Sequence, residues 1–181
     1  MTNTMNQTAF YLGLLAIPVS VWRFQLSSRT ALLVSGFPIF LLVGGSYYLN
    51  YEIQGAVMVL GSFTINILQT ITGIGDWARK RRAQIVRAIL VVLSIVFGIW
   101  WAPPSTWEKT LPFFAYAIAK TGGYALTPQI IRKFYLVSTT LWGSYAALTG
   151  NIPIFVMELL TLASNIVWLL RNPVPTTNWS V

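Results

Sequence analysis

Seven apolar stretches divide this chain, and their length decides which solvent it folds in. They run from about Ala9 to Phe24, Ala31 to Tyr48, Ile53 to Ile71, Ile85 to Trp101, Leu111 to Leu126, Ile130 to Leu148 and Ile152 to Leu170. Each is 15 to 19 residues long, a little short of the ~20 that cross an average hydrocarbon core, so local thinning or tight packing must compensate. With 9% charged residues against 55% hydrophobic, the chain has too little charge to coat a soluble domain. The expected fold is an all-α integral membrane protein, one membrane domain over residues 1–181 with the lipid bilayer as its first partner.

The formal charge of +8 would suggest nucleic acid in a soluble protein. In a membrane chain it reports orientation instead, and no nucleic-acid partner is expected. Seven crossings put the loops after segments one, three and five on one side with the C-terminus. That side collects ten basic residues, from Arg23 and Arg29 to Arg132, Lys133 and Arg171, and the opposite side only Lys109. The N-terminus is therefore expected outside and the C-terminus in the cytoplasm of a bacterial inner membrane. Arg79, Lys80, Arg81 and Arg82 form the densest run and read as a topology anchor, with a specific anionic-lipid site as the sharper alternative. No basic residue precedes the first apolar stretch, which speaks against a cleaved signal peptide.

The chain has no cysteine and no histidine, which excludes disulfides, thiolate nucleophiles, imidazole bases and the usual zinc ligands. No cofactor and no metal are expected, and no enzyme. Four acids remain, and only Glu158 lies inside an apolar stretch.

The third and seventh stretches echo one another. Ile53, Val57, Met58, Asn66 and Ile67 recur as Ile152, Val156, Met157, Asn165 and Ile166, 99 residues on. Gly45-Ser46-Tyr47 matches Gly143-Ser144-Tyr145 at a separation of 98, which requires one extra residue in the later turn. Two three-helix units follow, residues 9–71 and 111–171, joined by a basic loop and a linker helix over 72–104 and trailed by 172–181. A single joining helix makes them parallel repeats about an axis along the bilayer normal. Chance likeness between apolar helices is the competing explanation.

This three-plus-one-plus-three plan carries Trp142-Gly-Ser-Tyr145, the turn TGNIP from Thr149 to Pro153, and ELLTLASN from Glu158 to Asn165. A looser first copy stands in GGSYY and GSFTIN. The pattern resembles the SWEET and PQ-loop transporter superfamily and, more closely, the bacterial inner-membrane YgjV-type family. Pro128-Gln129 looks like the superfamily's PQ dipeptide, without a partner in the first half. The resemblance implies a central substrate site bounded by Asn66, Asn165 and Trp142, one-sided because Val43 or Gly44 stands where the first half would need an aromatic.

Ser62 and Thr161 extend the two asparagine faces. Facing amides would suit a neutral polyhydroxylated or amide-bearing solute, a sugar among the candidates; otherwise they are interhelical glue. Glu158 lies roughly 9 Å, and Lys120 roughly 13 to 14 Å, from the same outer boundary at 1.5 Å per residue. The family's packing makes the first and third helices of a unit neighbours, so a Lys120–Glu158 ion pair or proton site is expected. Packing alone, or a snorkelling lysine, is the plainer account.

Three functions compete: an alternating-access transporter or facilitator of a small polar solute, a membrane protein of the same fold with a structural or regulatory role, and an intramembrane enzyme with Glu158 as acid. A homo-oligomer stays open. A cavity reaching both asparagines would favour the first.

Overall fold

A computed structural model describes residues 2–71, 81–123 and 127–173, and every element in them is helical. The helices are α1 (Thr2–Arg23), α2 (Arg29–Val34), α3 (Gly36–Leu49), α4 (Ile53–Ile71), α5 (Arg81–Trp101), α6 (Leu111–Gly122), α7 (Pro128–Leu148) and α8 (Ile152–Arg171). Proline opens α6, α7 and α8 within their first two positions, where its missing N–H costs nothing. Arg79, Lys80 and the last residues of the tail lie outside the described residues, while Arg81 and Arg82 begin α5.

The second apolar stretch is not one helix. It breaks at Ser35, between α2 and α3. Pro38 explains the break, because it has no N–H to donate to the Val34 carbonyl and its ring crowds that carbonyl. Pro18, in contrast, is carried inside a continuous α1. Three stretches, Thr30–Leu49, Gln84–Trp101 and Ile152–Arg171, are by themselves long and apolar enough to cross a membrane.

The helices pack as two trios. In the first, α3 stands between α1 and α4; in the second, α7 stands between α6 and α8. The trios meet along two seams, α1 on α8 and α4 on α6. First and third helices of a trio are thus held apart by the second, contrary to the neighbouring placement expected from the superfamily. Helix α5 lies at the edge against α4 and α6, and turns Val92, Val96, Phe97 and Trp100 outward as a lipid-facing helix would. Its Ser94 hydroxyl is not idle, since it is hydrogen-bonded to Tyr116 on α6.

The turns α3–α4 and α7–α8 share four backbone bonds. The amide of Glu52 donates to the Tyr47 carbonyl and that of Asn151 to Ala146, both at 2.9 Å; Ala56 donates to Glu52 and Phe155 to Asn151, both at 3.0 Å. Tyr51 and Gly150 hold the same left-handed backbone, φ 62° and 73°. Each residue lies 99 from its counterpart. This corrects the separation of 98 for the Gly-Ser-Tyr match: Ser46 corresponds to Tyr145, and no extra residue sits in the later turn. A three-letter identity between apolar helices slips easily by one, whereas the backbone bonds of a turn fix register.

Candidate functional site

A cavity of about 70 Å³ lies between the trios. Twelve of its seventeen lining residues come from corresponding positions, Arg23, Phe24, Lys120, Tyr135 and Met157 being the others. Ser20, Ile39, Phe40, Val43, Val59 and Ser62 line it from the first trio, and Ala119, Ser138, Thr139, Trp142, Glu158 and Thr161, each 99 residues later, line it from the second. The walls differ in chemistry. Ile39, Phe40, Val43 and Val59 make the first mostly apolar, whereas Ser138, Thr139, Trp142 and Glu158 bring hydroxyls, an indole and a carboxylate to the second.

Three charged groups face this chamber. Arg23, at the end of α1, is 5% exposed; its Nε donates to the Leu32 carbonyl at 2.8 Å and a terminal nitrogen to the Tyr135 hydroxyl at 2.9 Å. Lys120, on α6 and 2% exposed, donates to Asn66 Oδ1 at 2.5 Å and to the Ser62 carbonyl at 3.3 Å. Both cations stand over the Phe40 ring, Arg23 at 5.9 Å and Lys120 at 5.1 Å from its centroid. Glu158, half-buried on α8, accepts no hydrogen bond among the described residues. It also borders a second cavity of about 220 Å³ between α7 and α8. Gly143 leaves that side open, since a Cβ added there would sit 3.4 Å from the Glu158 Cβ.

The hydrogen bonds described for Lys120 go to Asn66 and Ser62 on α4, away from its expected partner Glu158. Helix α6 presents Lys120 to α4 across the seam, and α7 stands between it and α8. The asparagines also differ from expectation. Both are buried, at 0% and 1% exposure, yet neither lines the chamber. Asn66 donates from Nδ2 to the Leu33 carbonyl at 3.4 Å, and Asn165 to the Arg132 carbonyl at 2.9 Å, each acceptor 33 residues before its donor. Their Oδ1 atoms accept from Lys120 and Arg132. Asn66 thus ties α4 to α2, Asn165 ties α8 to α7, and each satisfies a cation. Of the other residues singled out from the sequence, Ser62, Thr161 and Trp142 do line the chamber, and Thr161 shares a 2.7 Å hydrogen bond with Ser20.

Arg132 was invisible as anything but a loop-side cation. The structure buries it completely, donates its guanidinium to the carbonyls of Phe24 and Leu26 at 2.6 Å each, and stacks it 3.9 Å from the Trp168 ring centre. Carbonyls at a helix end lack intrahelical donors, and Arg132 supplies donors just past the end of α1. The one sequence signal was the shared spacing of 33 that pairs Asn165 with Arg132 as Asn66 with Leu33. Among the described residues no three carboxylate, histidine or cysteine side chains gather as a metal site would need.

Fold and site together define a helical membrane protein with a small charged chamber on the seam between two helix trios. The match to a family model is nearly end to end. Over residues 8–173 the chain belongs to the Imp-YgjV family of bacterial inner membrane proteins, so the inner-membrane bilayer is its solvent. No curated protein and no solved structure matches it.

Proposed function

We propose that this protein is a transporter or facilitator of a small polar solute, alternating access being provided by two equivalent three-helix units that rock about the chamber. The observation that carries this reading is the chamber's lining, six pairs of positions each 99 residues apart. A cavity on the axis relating two repeats is where transporters of repeated architecture bind their cargo. The matched turns, the matched Asn66 and Asn165 bonds, and the crossed seams α1–α8 and α4–α6 support the three-plus-one-plus-three plan. The site moves accordingly: Ser62, Thr161, Trp142, Glu158, Arg23 and Lys120 bound it, and the two asparagines act as struts.

At about 70 Å³ the chamber has room for a few waters, one water needing ~10–15 Å³ of such space. A sugar would not fit unless the units part. The basic residues after the first, third, fifth and seventh apolar stretches support an orientation with the N-terminus outside and the C-terminus cytoplasmic. We take the protein not to be an enzyme, since the chamber offers one carboxylate beside two cations and the chain has no histidine or cysteine.

One observation favours a second reading, a structural or regulatory protein of the same fold: the chamber reaches neither asparagine. Uptake into proteoliposomes separates the two. A transporter takes up at least one compound of a small-solute panel and loses most of that uptake in Glu158→Gln and Trp142→Ala. Uptake equal to that of empty liposomes for every compound would establish the second reading instead.

A further inference from the structure

Two cavities meet at one carboxyl and one hydroxyl. Glu158 and Thr139 border both the chamber and the cleft of about 220 Å³ between α7 and α8. Thr140, Ser144 and Leu159 line the cleft and are exposed, and all three lie within apolar stretches, so the cleft opens onto the bilayer. The positions 99 residues earlier carry no such polarity: Phe40, Leu41, Gly45 and Val59 stand in the first trio for Thr139, Thr140, Ser144 and Glu158. They are also better filled. A Cβ at Gly44 would meet the Leu60 side chain at 3.2 Å, whereas the counterpart Leu159 leaves Gly143 clear, with the Glu158 Cβ at 3.4 Å as the described neighbour within 4 Å. Packing a second helix on a third therefore does not by itself make this cleft, and its polar groups belong to one half of the molecule.

Polar groups in a lipid-facing wall cost free energy unless they are bonded. Thr140 and Ser144 donate their hydroxyl protons within α7, to the carbonyls of Leu136 and Thr140. Thr139 does not. It is 6% exposed, and its hydroxyl makes no hydrogen bond among the described residues. Beside it, Glu158 already stands in the field of Arg23, so a cationic ligand is not needed to balance its charge; what it offers the cleft is the capacity to accept hydrogen bonds. A hydroxyl group, which donates and accepts at once, matches this pair without adding charge. Phe155, Leu159 and Leu162 supply an apolar wall for the rest of a ligand. We infer that the α7–α8 cleft binds a short, neutral amphiphile dissolved in the bilayer, its hydroxyl end at Thr139 and Glu158 and its hydrocarbon between the two helices. The volume lies below the ~300–1,000 Å³ of ordinary ligand sites, which keeps the chain short and leaves out a diacyl lipid.

The test is photolabelling of the full chain in nanodiscs with four eight-carbon probes that carry a diazirine at mid-chain: octanol, octane, octanoate and octylamine. Insertion into the lipid-facing helix α5 serves as the reference for each probe's concentration in the bilayer. Relative to it, octanol should label the facing parts of α7 and α8 about fivefold more than any other probe, the worth of one hydrogen bond. Unlabelled octanol should compete this labelling away. Thr139→Val, which removes the hydroxyl and keeps the shape, should bring octanol down to the level of octane and leave octane unchanged; Gly143→Leu should block all four. Octane labelling as strongly as octanol, or equal labelling of α3 and α4, would reduce the cleft to ordinary lipid contact and overturn the inference. Preference for octanoate or octylamine would overturn the neutral ligand. Should Gly143→Leu fail to fold, the four probes on the unaltered protein and Thr139→Val still decide. Labelling reads occupancy and not uptake, so the outcome is separate from the transport reading.

Discussion

Replacing Arg132 with methionine sets two opposed effects against each other, and the structure says which wins. Removing a buried guanidinium relieves a desolvation penalty of several kcal/mol, which is why some buried ion groups can be exchanged for apolar ones at no loss. Here, however, the partners stay behind. The carbonyls of Phe24 and Leu26 each lose a 2.6 Å charge-assisted bond, the first buried and the second partly so, and a stranded buried acceptor costs about 1–3 kcal/mol. Asn165 Oδ1 loses its donor at 3.2 Å, and Trp168 loses a stacked cation worth up to about 2 kcal/mol. Two or three orphaned acceptors outweigh the relieved charge, so Arg132→Met should destabilise the protein by about 3 kcal/mol. For a chain of this size that corresponds to a fall in Tm of roughly 6–12 °C. Arg132→Lys keeps the charge but cannot reach two carbonyls and stack at once, and should fall between. Thermal unfolding in detergent, followed by tryptophan fluorescence, reads both. An Arg132→Met protein melting within about 1 °C of wild type would mean that the carbonyls find other donors and that the end of α1 does not depend on Arg132.

The glycines give a matched contrast. A Cβ at Gly13 would stand 2.6 Å from the Pro153 Cβ across the α1–α8 seam, so Gly13→Ala should cost about 1–3 kcal/mol; nothing lies within 4 Å of one at Gly61, where alanine should gain up to about 1 kcal/mol of helix propensity. Equal effects in a melting assay would contradict the packing of α1 on α8. Lys120→Met and Asn66→Ala share a bond and should be non-additive by about 1 kcal/mol or more in a double-mutant cycle, while Lys120→Met with Glu158→Gln should add within about 0.5 kcal/mol; the reverse pattern would restore the pair expected from sequence. In the loop before α6, the Thr106 hydroxyl is the main group holding the Glu108 carboxyl below its ordinary value. A carboxyl depressed in the folded state stabilises above its unfolded pKa and loses that contribution as pH falls through the folded one. In an NMR titration the Glu108 midpoint should therefore move up in Thr106→Val; an unmoved midpoint would dismiss the hydroxyl's role.

Periodicity and length made the helices legible, because lipid leaves a backbone no alternative to bonding within itself. The turn at Tyr51 and the turn at Gly150 were legible as a pair, but their register was not: three matching letters suggested 98 where the backbone holds 99. The site was legible by residue type and misread by partner. Asn66 and Asn165 occupy equivalent places, yet equivalence says nothing about which neighbour an amide meets. That depended on α7 standing between α6 and α8, a tertiary fact that helical spacing does not encode. Arg23 and Arg132 were counted as loop-side charges because a positive residue near a helix end usually is one. Arg132 is buried against carbonyls just past the end of α1 and Arg23 against the Leu32 carbonyl of α2 and the Tyr135 hydroxyl, partners that no property of the arginines themselves announces.

The distribution of polar bonds across the seams bears on how the chamber would open. Between α1 with its following turn and the α7–α8 pair, the Arg-rich end is stitched by Arg132 to Phe24 and Leu26, Arg23 to Tyr135, Gln25 to Ser164, and Ser20 to Thr161. The opposite end joins the trios through Tyr145 to Glu52 and Asn151 to Ser46. On the α4–α6 seam the bonds come from Lys120 to Asn66 and Ser62. Opening toward the Arg-rich end therefore means either breaking the first set together or pivoting on it while α4 and α6 part. The second route breaks fewer bonds and releases Lys120, a group that faces the chamber. A solute that competes with Asn66 for that ammonium would bias the equilibrium toward opening, since a ligand shifts a conformational balance only by its different affinity for the two states.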